Sequence, residues 1–224
     1  MQNRSHAVMA QRIEPLDSLD DYPTPCWATR ALCELVIPKG YLGGSVREPA
    51  ANRGFMVKAL KPYFESVAAS DIFDYEEGFP VADFLLPQPD SYTEISDWMI
   101  TNPPFNKAAE FVRRGFEIAN YGVAVLVRAS WLEGNNRFNN LFKVNRPSIV
   151  AQFVERVPML KGKCVSHVID PKTGKLKRAT TATAYCWVVW IDGYHSTART
   201  DYEWIPPCRA RLERPGDYQE VFAA

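Results

Sequence analysis

The chain has 224 residues, 46% hydrophobic and 23% charged, which fits one globular domain with an ordinary core and argues against a second full-sized domain. Lysine plus arginine equals aspartate plus glutamate at 26 each, so no global charge draws the chain to a polyanion, and any nucleic-acid contact has to come from a local patch. No apolar run reaches signal-peptide or membrane-span length, which points to a cytoplasmic chain without a membrane partner; five scattered cysteines suggest neither a disulfide framework nor a zinc site.

Residues 1–20 are polar and aperiodic and read as a flexible arm. Tyr22-Pro23-Thr24-Pro25 then forms a rigid turn, and Trp27, Leu32, Leu35 and Val36 follow at near-helical spacing up to the stop at Pro38-Lys39-Gly40. A short strand is expected over Ser45–Pro49, a helix over Gly54–Leu60, and a second strand over Ser66–Ser70, ending at Asp71. Ala82–Leu85 is compatible with a helical turn or a short strand. Asp97–Thr101 is a strand that delivers Asn102-Pro103-Pro104-Phe105, and Lys107–Ala119 carries a helical apolar stripe. Gly122–Val127 (GVAVLV) is continuously apolar, as in a strand buried on both faces of a parallel sheet. Strands and helices in alternation predict a doubly wound α/β fold, mostly parallel and seven-stranded in type, with helices on both faces. Ser148–Val157 and Thr183–Ile191 supply the last two strands, joined by residues 158–182, which contain a basic hairpin with its turn at Asp170–Gly174. The domain is expected to span 21–198, with 199–224 a polar, proline-containing tail.

Chemistry concentrates at Asn102-Pro103-Pro104-Phe105. An exocyclic amino nitrogen is a poor nucleophile because its lone pair is delocalised into the ring. Acceptors that hold both of its protons favour the tetrahedral geometry it needs for attack, and the Asn102 side-chain oxygen with the Pro103 carbonyl can supply two. Pro103 and Pro104 stiffen the loop by fixing φ, and Phe105 offers a flat face for a base taken out of a duplex. An Asn-Pro-Pro turn leading into a helix with a core phenylalanine would read the same way. No histidine spacing, paired Cys/His set or nucleophile elbow points to a metal or a covalent nucleophile.

Five segments in order resemble the S-adenosylmethionine-dependent amino-methyltransferases, in particular phage-type N6-adenine DNA methyltransferases. They are Tyr22–Pro25, Glu48-Pro49-Ala50-Ala51-Asn52-Arg53-Gly54, Asp71-Ile72, Asp83-Phe84 and Asn102–Phe105, and the resemblance spans about Asp21 to Ile191. It implies a Rossmann-like class I fold, S-adenosylmethionine as cofactor and double-stranded DNA as partner. It also implies transfer to the N6 amino group of a flipped adenine, with Asn102, Pro103, Pro104 and Phe105 as the catalytic set. Within it, Glu48 with Pro49 and Ala50 lies near the methionine end, closed off by Tyr22, Thr24 and Pro25. Asp71 accepts from the ribose hydroxyls, Ile72 covers an adenine face, Asp83 accepts from the adenine amino group, and Phe84 packs on its ring. Asn52 stands where the family has glycine. It is the side chain that best tolerates positive φ, so with Gly54 the loop is expected to stay intact. Both aspartates can equally be solvated loop carboxylates. Arg128–Gly134 (RASWLEG) also looks like the family, with no role assigned.

The hairpin carries Lys161, Lys163, Lys172, Lys175, Lys177 and Arg178 against only Asp170, a patch suited to DNA phosphates and equally to a solvated loop. RNA, cytosine-N4 and protein-glutamine methylation remain open, as does a catalytically silent DNA-binding protein.

Overall fold

The computed structural model describes residues 20–86, 95–194 and 199–219, so the expected arm lies outside the described residues apart from Asp20. The chain enters through Tyr22–Pro25 into α1 (Cys26–Ala31), which continues as a π-helical turn over Leu32–Val36. Then come β1 (Ser45–Glu48), α2 (Phe55–Leu60), β2 (Ser66–Ala69), β3 (Ser96–Thr101), α3 (Ala108–Ile118) and β4 (Ala119–Arg128). After a 3-10 turn, Ala129–Leu132, and a short helical stretch that includes α4 (Asn135–Arg137), β5 (Ile149–Phe153) precedes the hairpin of β6 (His167–Ile169) and β7 (Leu176–Arg178). β8 (Tyr185–Ile191), β9 (Asp201–Ile205) and α5 (Arg209–Leu212) complete it.

One seven-stranded sheet runs β2-β1-β3-β4-β8-β5-β9. β8 is antiparallel to both of its neighbours, and every other pairing is parallel. β4 and β8 lie at its centre and are apolar on both faces. Ala124 and Leu126 point into a core with Trp27, Leu32, Trp98 and Trp187, whereas Val123, Val125 and Val127 point into another with Met99, Phe111 and Val112. The buried tryptophans satisfy their indole N–H groups on backbone carbonyls: Trp98 on Tyr41, and Trp187 on Ala28. At Gly122 a Cβ would lie 2.5 Å from the Trp98 ring and 2.8 Å from the Trp190 carbonyl oxygen, which explains the glycine inside this strand.

The polar tail expected over 199–224 is corrected: β9 adds a seventh strand to the edge, parallel to β5, and α5 packs against α1. Arg30 and Asp217 anchor that end through a buried bidentate ion pair at 2.5 and 2.8 Å. Arg30 also donates to the Leu212 carbonyl. Ala82–Leu85 is neither strand nor helix but a turn held by the Asp71–Val81 bridge. No helix among the described residues is long and apolar enough to cross a membrane.

Candidate active site

From β1 the chain moves out to β2 on one side and returns to β3 on the other, so a crevice opens between the carboxyl ends of β1 and β3. A cleft lies there, lined by Asp20, Tyr22, Thr24, Glu48 to Arg53, Asp71, Ile72, Tyr75, Asn102, Pro104 and Phe111, among others.

Glu48 ends β1 and is fully buried. Its Oε1 accepts from the Ala50 amide at 2.9 Å and the Thr101 hydroxyl at 2.6 Å, while Oε2 has no partner among the described residues. Burial pushes the carboxyl up to about 8; the two hydrogen bonds oppose this and the nearby Asp71 adds to it.

The loop after it turns through Asn52, whose φ of 48° is left-handed, and Gly54, whose φ is 73°. Asparagine therefore carries the left-handed turn here, as expected of the side chain that best tolerates positive φ. The Asn52 amide donates to Asp71 Oδ2 at 2.7 Å, and its side chain donates to Asp21 Oδ1 at 2.9 Å. Arg53 pairs with Asp21 Oδ2 at 2.7 Å. Asp71 is buried just beyond β2 and accepts from the Phe73 amide through Oδ1; burial raises its pKa against these backbone donors. Ile72 is exposed on the rim.

Asn102 leaves β3 with its amide orientation set: Nδ2 donates to the Tyr22 carbonyl at 3.0 Å. Its Oδ1 is buried and has no partner among the described residues. Pro104 accepts from the Lys107 amide at 2.9 Å, while the Pro103 carbonyl receives no hydrogen bond from a described residue. The Phe105 amide donates to Asp20 Oδ2 at 2.8 Å, and its ring is flanked by Tyr22 and Tyr185, with the Arg128 guanidinium 4.0 Å above the ring centroid.

Of the sequence candidates, the structure brings Tyr22, Thr24, Glu48, Pro49, Ala50, Asn52, Asp71, Ile72, Asn102 and Pro104 onto one cleft. Pro103 and Phe105 sit beside it in the same loop. Pro25 and Gly54 act behind the wall, as the residues that start α1 and α2. Asp83 and Phe84 are not brought to the wall. Asp83 Oδ1 accepts from the Leu85 amide, and Phe84 is buried against Phe111, their ring centroids 5.1 Å apart. α3 offers Phe84 an apolar partner, so it packs behind Phe111, which itself lines the cleft. Asp20 and Asp21 are not among the sequence candidates, and Arg128 is marked only within Arg128–Gly134, with no role. The Asp20-Asp21 pair before a proline turn is the one sequence signal that marks the first two.

The hairpin forms at the expected place, with Ile169 opposite Leu176 and Gly174 in the turn at φ 66°. β5 delivers the chain to it and β8 receives it, both at the edge of the sheet where β3 and β4 end. Lys177 pairs with Asp170 at 2.9 Å and Arg178 with Glu213 at 2.9 Å, so those two charges are partly met. Lys163, Lys172 and Lys175 are exposed and have no side-chain partner among the described residues.

Neither a family model nor a curated protein sequence matches the chain significantly. Its structure is similar to the type I restriction-modification methyltransferase subunit of Streptococcus thermophilus, with TM-score 0.56 and 11% identity over 90% of this chain and 50% of that one. It is also similar to a Listeria monocytogenes protein assigned to the class I S-adenosylmethionine-dependent methyltransferases, with TM-score 0.50 and 12% identity over 82% of this chain and 65% of that one. The fold is that of the class I methyltransferases. At these identities the likeness is one of fold, and the chain spans about half the length of the first protein and two thirds of the second.

Proposed function

We propose that the chain transfers a methyl group from S-adenosylmethionine to the exocyclic N6 amino group of adenine in DNA. The observation that carries this reading is the Asn102 amide. Its Nδ2 is fixed on the Tyr22 carbonyl, which leaves Oδ1 as a buried acceptor with no partner among the described residues. A buried acceptor left unpaired is costly, so its place at the mouth of a cleft suits an incoming donor.

The cofactor fits the residues present. Glu48 Oε2 is the orphaned carboxyl oxygen that an ammonium group would satisfy, the Asn52 turn bends the backbone around the cleft, and Asp71 has acceptor capacity left for ribose hydroxyls. When bound, S-adenosylmethionine supplies an electrophilic methyl on its sulfonium. Asn102 Oδ1 and the Pro103 carbonyl would hold the two amino protons, favouring a tetrahedral nitrogen and stabilising the positive charge that develops on it as the N–C bond forms and the sulfonium S–C bond breaks. The sulfur would leave as a neutral thioether and the surplus nitrogen proton would pass to solvent. Phe105 supports the base, and Lys163, Lys172 and Lys175 on the hairpin (158–182) meet phosphates beside the cleft. The fold likeness to a restriction-modification methyltransferase subunit supports DNA as the partner.

The test is transfer of labelled methyl to duplex DNA, RNA and glutamine-containing protein, followed by digestion of the product. N6-methyladenine in DNA is expected. Label in RNA or protein alone, or as N4-methylcytosine, refutes the assignment.

A further inference from the structure

Arg128 closes β4, the strand paired with β3, which delivers the Asn102 loop. Its guanidinium carbon lies 4.0 Å from the centroid of the Phe105 ring. Among the described residues this half-buried side chain makes no ion pair and no hydrogen bond, and its Nε is buried without a partner. The guanidinium is thus a half-exposed cation whose contact among the described residues is the face of the Phe105 ring rather than a carboxylate. The other rings near Phe105 belong to Tyr22 and Tyr185, at 6.1 and 6.4 Å, tilted by 37° and 38° and both buried in the core. Arg128 is therefore the neighbour of Phe105 with a long, half-exposed side chain able to withdraw.

We infer that Arg128 is the opposing jaw of the slot that takes the flipped base, an assignment that rests on the function proposed above. In the free chain the guanidinium covers Phe105. When a base enters, the guanidinium lifts by about 3.4 Å, the spacing of stacked bases, and rests on the outer face of that base. Guanidinium planes serve as stacking platforms for unstacked bases, and they need no recognition of the base edge to do so. The side chain thus keeps an apolar ring from facing water while the slot is empty and completes the stack when it is filled.

The full chain is first given labelled S-adenosylmethionine and unmethylated genomic DNA, and the methylated position is mapped by sequencing. Absence of transfer by the wild type overturns the proposed function and the jaw with it. Equilibrium binding is then measured on two duplexes, one with adenine and one with an abasic site at the mapped position. Arg128→Ala should weaken binding to the adenine duplex about tenfold and to the abasic duplex less than twofold, because a stack is lost only where a base is present. Arg128→Lys keeps the charge without the plane and should behave like Arg128→Ala, with cofactor affinity intact in both. Equal loss on the two duplexes, or none, overturns the jaw while the function stands. A salt slope lowered by about 0.9 together with equal loss would make Arg128 a phosphate contact instead.

Discussion

Replacing Glu48 by glutamine tests the cofactor end of the cleft through its protons. In the free chain burial holds the Glu48 carboxyl at about 8, so at neutral pH it is mostly protonated, whereas an ammonium group on Oε2 requires the carboxylate. Cofactor binding must then expel a proton. If the carboxyl stays ionised in the complex, the apparent affinity is reduced about 100-fold at pH 6, about tenfold at pH 7 and about twofold at pH 8 relative to the ionised form. Because the α-amino group of the cofactor itself loses its proton near pH 8, wild-type affinity should climb about 25-fold from pH 6 to a maximum near pH 8 and fall above that. Titration calorimetry in two buffers of different ionisation enthalpy should show close to one proton released at pH 7. Glu48→Gln keeps an acceptor for Ala50 and Thr101 but has no proton to give, so the rising limb and the release should both vanish. The free chain gives an independent check of sign. The folded state retains this proton between about 4.5 and 8 while the unfolded state loses it, so the Glu48 contribution to stability declines as pH rises through that window. That decline should be missing in Glu48→Gln. Affinity that does not change from pH 6 to 8, or equal proton release by both proteins, would refute the reasoning.

Asn102→Ala should lower kcat by roughly 100-fold or more, the scale of removing one preorganised hydrogen-bonding group, with cofactor affinity changed only slightly; single-turnover methyl transfer and titration calorimetry separate the two effects. Changing Lys163, Lys172 and Lys175 together to glutamine should reduce the salt slope of log DNA affinity by up to about 2.7 while leaving cofactor affinity intact, as read from binding at several salt concentrations. Asp217→Asn strips the charge partner from buried Arg30 and should cost roughly 3–5 kcal/mol in urea unfolding, far more than expected if residues 199–219 were a loose tail.

Much of the sheet was legible because its central strands are unambiguous. GVAVLV has no polar face to expose, and β8 is buried at every position. The Asn102 loop was legible because two prolines and an asparagine after such a strand leave few conformations. β9 was not. It lies on an edge, exposes Tyr202, Glu203 and Trp204 and buries only Ile205, so its sequence lacks the apolar alternation that marks a strand, and β5 supplies the template instead. Phe84 differs again: the motif suggests a cofactor contact, and the chain packs the ring against Phe111, a pairing between segments distant in sequence that the sequence does not show. Arg128 was visible as a residue and silent as a role, because its position above Phe105 depends on β3 and β4 ending side by side.

The segment Asp20–Tyr22 joins parts of the site that sequence reading treats separately. Asp20 holds the Phe105 amide, Asp21 holds the Asn52 and Arg53 side chains and accepts the Gly162 amide through its carbonyl, and Tyr22 holds the Asn102 amide. The Glu48–Gly54 loop, the Asn-Pro-Pro-Phe loop and the base of the hairpin are thus tied to one stretch of three residues. Each contact alone is an ordinary hydrogen bond or partly exposed ion pair of modest net worth. Their shared anchor makes them interdependent, since a shift of this segment would turn the Asn102 amide, loosen the left-handed Asn52 turn and move the hairpin base together. Mutations at Asp20 and Asp21 should therefore couple with mutations at Asn102 and Asn52 rather than add, as contacts within one network do. Preorganised acceptors lose their effect if the loop that carries them can rotate, and this anchor fixes Asn102 before any substrate arrives.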